Sequence, residues 1–317
     1  MKIRTLVLFI IAVCFILFVS CDNESDNLIQ YPPIIDDTTN IAEDTTYNFA
    51  YEDSILFSST RELFWTNVQM GSINGTGIRS LCDSLISYDG SWSPNKRKII
   101  FVGSPIYSDH KNWGLYLLEL KNYELTRLVP QETKVITASF SADLKYIAYA
   151  VFDESLGKKV KLLNNKDGEI IEVTDWIFYD MNVLSWGPDS KRILFDNGYC
   201  INIEDHSITR LFSDGPFQIF LPNWSPDGTK VSFSSSKDSQ PNLRIYDIST
   251  GEIRFLFRQD TLFQFNSSWS KDSKTIFFDQ RPFGNSNGYL CKINIDGGGF
   301  VRLTDGSEND WSPRWYK

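Results

Sequence analysis

The stretch Asn223-Trp-Ser-Pro-Asp-Gly-Thr-Lys-Val-Ser-Phe233 combines an aromatic ring, a tight turn and an alternating strand. Ser225-Pro226-Asp227-Gly228 has type I turn chemistry. Pro226 presets φ at the second position, Ser225 hydrogen-bonds back into the turn, and Gly228 suits the exit. Beyond it, Val231 and Phe233 alternate with Lys230 and Ser232, the period of a half-buried strand. The unit is therefore strand, hairpin, strand, with a large ring at the corner.

The unit recurs. Ser91-Trp92-Ser93-Pro94-Asn95 leads into Lys98 to Phe101, and Ser139-Phe140-Ser141-Ala142-Asp143 into Tyr146 to Tyr149. Ser185-Trp186-Gly187-Pro188-Asp189 leads into Arg192 to Phe195, and Ser268-Trp269-Ser270-Lys271-Asp272 into Thr275 to Phe278. The rings stand at 92, 140, 186, 224 and 269, and a sixth, Trp315, follows 46 residues after Trp269. Between rings a second phrase repeats: an apolar strand, a polar turn and a short strand. Gly114 to Leu120 turns into Leu125 to Leu128, Leu243 to Ile248 into Ile253 to Phe255, and Tyr289 to Ile295 into Phe300 to Leu303. Leu63 to Val68 with Asn74-Gly75, Val160 to Leu163 with Asp167-Gly168, and Tyr199 to Ile203 with Glu204-Asp205 complete the set. Six rings with six strand pairs predict four strands per repeat, the signature of a propeller blade.

These repeats resemble the WSPDG units of TolB-type and dipeptidyl-peptidase-type β-propellers over roughly residues 48–317. The fourth repeat carries the full motif; the second replaces Trp with Phe140 and Pro with Ala142. The resemblance implies an all-β fold, a six-bladed propeller of four-stranded antiparallel blades. Such a ring must hide its terminal edges. The chain ends on the strand that precedes a hairpin, Arg314 to Tyr316. The domain begins on one that follows a hairpin, Ile55 to Phe57. We expect these two strands to pair in one composite blade.

Residues 1–20 read as a secretion signal: Lys2 and Arg4, then an apolar run from Leu6 to Val19 that is short of the roughly 20 residues of a membrane span. Phe18-Val19-Ser20-Cys21 resembles a bacterial lipobox, with Phe18 where Leu is usual, which implies lipidation of Cys21. Residues 21–47 read as an extended tether: after Cys21 it holds seven acids and neither Lys nor Arg. An acidic cluster beside the lipidated cysteine resembles the surface-export signal of some lipoproteins and the inner-membrane retention signal of others, so the membrane face stays open. Removing Lys2 and Arg4 from the 31 basic residues leaves 29 against 40 acidic, a net charge of −11. That disfavours a nucleic-acid partner, which needs a basic patch. Cys82, Cys200 and Cys291 remain in the domain; we expect small buried apolar thiols rather than a disulfide.

Signals of chemistry are few. His110 and His206 lie in polar turn segments and do not make the several-histidine metal set of propeller lyases. There is no GxSxG nucleophile elbow, so the peptidase chemistry of the dipeptidyl-peptidase relatives is missing. Asp143, Asp189, Asp227 and Asp272 repeat at the hairpin turns, where an acid serves turn geometry. The resemblance implies that the strand before each ring lines a central channel. It places Asp89, Thr137, Asp180, Asn182, Gln264, Asn266, Asp310 and Arg314 near its mouth, with Trp176 the leading exposed aromatic. The ring residues and Trp113 are expected between blades; Trp311 is open as rim or core. No cofactor and no metal is expected. The expected protein is a monomeric, lipid-anchored cell-envelope module that binds a protein or glycan partner without catalysis. The alternative is an envelope glycan-active enzyme, hydrolase or lyase, using Asp89 with Asp180 or Asp310.

Overall fold

The computed structural model describes residues 54–60, 66–72, 74–106, 113–131, 133–177, 181–236, 241–259, 261–282 and 287–315. The signal segment, Cys21 and the tether lie outside the described residues, as do Trp65, His110 and Asp180. The strands form six four-stranded antiparallel sheets. Blade 2 is typical: Leu85–Trp92, Lys98–Pro105, Gly114–Glu119 and Leu125–Arg127 pair in sequence order. Blades 3 to 6 begin with the first strands Val135–Phe140, Ser185–Trp186, Ile219–Trp224 and Leu262–Trp269. Each first strand contacts the first strands of both neighbouring blades, around the full circle, so these strands form the inner wall.

Blade 1 is composite, as expected. Asp310–Trp315 supplies its inner strand and pairs with Ser54–Ser59, with Ile55 opposite Trp315 and Ser59 opposite Asp310. Pairing therefore reaches four residues further back than Arg314. Trp315 also stacks on Phe277 of blade 6, with ring centroids 4.6 Å apart.

The hydrophobic core is six layers, one between each pair of neighbouring blades. The second strands explain this. In Ile99-Ile100-Phe101-Val102, Ile99 and Phe101 pack toward blade 1, and Ile100 and Val102 toward blade 3. Such a strand is buried on both faces, so its sequence runs apolar without alternation. The repeat rings lie in these layers: Trp224 and Trp269 are fully buried, and Trp186 and Trp269 donate their indole N–H to the backbone oxygens of Ser139 and Asn223 in the preceding blade.

The hairpin turns show why the motif varies. In every copy the backbone N–H at the Gly228 position donates back to the residue three before it, and the residue there has positive φ. Lys96, Leu144, Ser190 and Ser273 occupy this left-handed position in the other copies, with φ of 55–64°. Two of these accept a hydrogen bond from the preceding blade's turn: Ser190 Oγ from the Asp143 N–H, and Ser273 Oγ from the Asp227 N–H. At Gly228 a Cβ would come within 2.9 Å of Pro188 Cγ, so the fourth repeat needs the missing side chain as well as the permissive φ.

Candidate functional site

The inner strands are not regular. Asp89, Leu221, Asn266 and Ser312, each three residues before a repeat ring, have φ between 49° and 55°. The pairing register shifts beside each of them. These are β-bulges, and a bulge leaves a ladder N–H unpaired in a buried place. Acceptors from the neighbouring blade satisfy several of them. Ser58 Oγ accepts the Asp89 N–H at 3.3 Å, Asp196 Oδ1 the Leu221 N–H at 2.6 Å, and Asp279 Oδ1 the Ser312 N–H at 3.1 Å. The same carboxylates accept Asn182 Nδ2 and Asn266 Nδ2, at 2.9 and 2.6 Å. Burial pushes the Asp279 carboxyl above its ordinary pKa, opposed by the Arg281 guanidinium and by the Asn266 and Ser312 hydrogen bonds.

Between the bulges and the ring of hairpin turns lies a cavity of about 270 Å³. Its walls are the edges of Trp92, Phe140, Trp186 and Trp315, with Pro94, Pro188 and Pro226 of the turns. Four rings expected purely between blades thus also face the channel. At one side stands a polar node. Arg314 Nη2 is 3.0 Å from Asp89 Oδ1, and Thr137 Oγ1 donates to Asp89 Oδ2 at 2.6 Å. The Arg314 and Asp89 side chains are 15% and 11% exposed. The node joins blades 1, 2 and 3, and both carboxylate oxygens are occupied. Asp89 is the one carboxylate on the cavity wall among the described residues.

A second opening lies toward the other end of the channel. It is a cleft of about 410 Å³ lined by Tyr88, Ile136 and Asn182, each four residues before a repeat ring, and by Phe152 and Lys158 flanking a blade 3 hairpin. Burial, followed by the negative charge of Asp89, pushes the Tyr88 phenol up, so it stays neutral.

The structure therefore separates the sequence-predicted site residues. Asp89, Thr137 and Arg314 meet in the cavity, and Asn182 lies at the cleft. Gln264 and Asp310 are corrections: both are fully buried, Gln264 accepting the Leu243 N–H and Asp310 the Ser59 hydroxyl. Each stands five residues before its ring, where simple alternation would face the channel. The intervening bulge adds a residue and reverses the face. Asn266 sits on the bulge itself, bonded to Asp279. Trp176 is half-buried, with Lys159 Nζ 5.1 Å from its ring centroid, rather than freely exposed. Trp113 packs edge-on to Tyr88, and Trp311 is half-buried with the Arg281 guanidinium 5.8 Å from its ring. Cys200 and Cys291 are buried free thiols, but Cys82 is only half-buried. Sequence reasoning missed Asp196 and Asp279; the signal was an acid ending an otherwise apolar strand run, in Leu194-Phe195-Asp196 and Phe277-Phe278-Asp279.

The hairpin acids act as turn acceptors. Asp272, for example, is held below its ordinary pKa by the Ser270 hydroxyl and then the Lys274 N–H. Among the described residues no group of three or more His, Cys, Asp or Glu is placed to hold a metal, and no helix is long and apolar enough to cross a membrane.

Residues 106–317 match the TolB beta propeller domain family. Among solved structures, TolB from Acinetobacter baumannii is similar with a TM-score of 0.71 and 19% identity, over 84% of this chain and 67% of that one. A putative TolB from Agrobacterium tumefaciens matches with a TM-score of 0.62 and 16% identity, over 83% of this chain and 98% of that one. An oligogalacturonate lyase from Vibrio parahaemolyticus matches with a TM-score of 0.55 and 12% identity, over 80% of this chain and 75% of that one. At these identities the likenesses concern the fold. The family match spans most of the chain and falls on the turn and ring repeats that build the channel, so the protein belongs to the TolB β-propeller family.

Proposed function

We propose that this protein is a non-catalytic binding module of the bacterial cell envelope, moored by a lipid on Cys21 and presenting its channel to a protein or glycan partner. The observation that carries this reading is the cavity wall. It offers aromatic and proline edges for contact, while its single described carboxylate, Asp89, is committed to Thr137 and Arg314. A glycosidase needs two carboxyls roughly 5–10 Å apart across the substrate. Asp310, one candidate partner, is buried against Ser59. Family membership supports an envelope binder, the excess of acidic over basic residues disfavours nucleic acid, and we propose that the protein acts as a monomer.

A photo-crosslinking residue at Ala142, on the cavity wall, tests the reading in cells. It should trap an envelope component, and Cys21→Ser should release the protein from the membrane fraction. Release of new reducing ends from an envelope glycan by the purified protein, abolished by Asp89→Asn, would overturn it.

A further inference from the structure

The cleft at the far end of the channel differs in chemistry from the cavity, and we propose that it is a subsite for a carboxylate-bearing sugar, a uronate residue within a glycan. The inference rests on the binding reading above and adds the class of ligand and its place.

Three observations point there. First, the cleft is walled by the aromatic side chains of Tyr88 and Phe152 and the aliphatic Ile136, and its polar groups are Lys158 and the exposed Asn182, whose amide nitrogen also donates to Asp196. Flat apolar faces suit the C–H face of a pyranose ring, an amide suits its hydroxyls, and an ammonium suits a carboxylate. Second, the volume of about 410 Å³ falls within the range of small-ligand sites, roughly 300–1,000 Å³. Third, the local charge runs against the whole. In a domain where 33 acids outnumber 29 bases, a net of −4 over residues 48–317, blade 3 places Lys158 on the cleft wall and Lys134 beside Phe152, with Lys134 Nζ 4.9 Å from the Phe152 ring centroid. The counter-charge of Lys134 is Glu154, 3.5 Å away and 87% exposed, a pairing that solvent weakens and a ligand carboxylate can share.

The bulges explain how these groups converge. Ile136 lies at a register shift, and Tyr88 is the residue just before the Asp89 bulge; these displacements turn side chains four before the ring toward the mouth. A peptide would be held mainly through main-chain hydrogen bonds, whereas this cleft presents side-chain faces and heads. That favours the sugar.

The test is calorimetric titration of the full protein with a galacturonic acid trisaccharide, its methyl ester and an acidic tripeptide. The free acid should bind at least tenfold more tightly than the ester. Lys158→Gln should bring the acid to the ester's affinity, Lys158→Arg should restore most of the difference, and Phe152→Ala should weaken both. Equal affinity of acid and ester, no saturable sugar binding, or an unaltered profile in Lys158→Gln would overturn the proposal. Tighter binding of the tripeptide would make the cleft a peptide site. Since the crosslinking test uses the cavity wall, a captured partner there with no uronate binding here would leave the binding reading standing while removing this one.

Discussion

The Asp89–Arg314 pair carries the sharpest prediction about how the ring is held shut. Arg314 belongs to the last strand and Asp89 to the second blade, so the contact spans the seam beside the closure. Arg314→Met keeps the stem and removes the charge. Removing one partner of a fully buried pair costs about 3–5 kcal/mol. Here the side chains keep 15% and 11% exposure, and Asp89 retains Thr137 and the cavity. The loss should therefore be lower, about 2–3 kcal/mol, or roughly 4–6 °C in melting temperature for a domain of this size. Asp89→Asn keeps a residue that tolerates the left-handed bulge and an acceptor for Thr137, and should cost about 1–2 kcal/mol. The double variant should cost less than both single changes together, by about 1–2 kcal/mol. Equilibrium urea unfolding followed by tryptophan fluorescence measures all three. Additivity within about 0.5 kcal/mol would show that the two groups do not interact and refute the latch.

Two further tests address the bulge caps and the turns. Asp279 has a raised folded-state pKa, so its contribution is full below the unfolded value of about 3.9 and is lost as pH rises through the folded value. Asp279→Asn should therefore gain on the wild type as pH rises from about 4 toward neutrality, and a constant difference in urea midpoint would exclude that role. Gly228→Ser should destabilise by about 1–2 kcal/mol although serine stands at the same place in two other repeats, because Pro188 crowds the Cβ position; a neutral result in the same unfolding assay would refute the crowding argument.

How much of this was readable follows from what is encoded locally. A Ser-Pro-Asp-Gly turn fixes its own geometry, and Trp or Phe at regular spacing fixes the layers, so blade number and closure followed from short-range chemistry. The inner wall did not follow, because one inserted residue reverses facing upstream. The resemblance gives the whole inner strand to the channel, but Gln264 and Asp310 lie buried upstream of the bulge, whereas Thr137 and Arg314 on its ring side, with Asp89 on the bulge itself, line the cavity. No local signal marks a bulge at Asp89 or Ser312, since its compensation comes from Ser58 and Asp279 in another blade.

The composite first blade also governs the order of events during synthesis. Until Asp310–Trp315 leaves the ribosome, Ile55 and Phe57 lack a neighbour that only the tail provides, and the layer between blades 6 and 1 cannot form. A partly made chain can build the layers between blades 2 and 6 but cannot close the ring. The chain order therefore makes closure of the ring the last step of assembly.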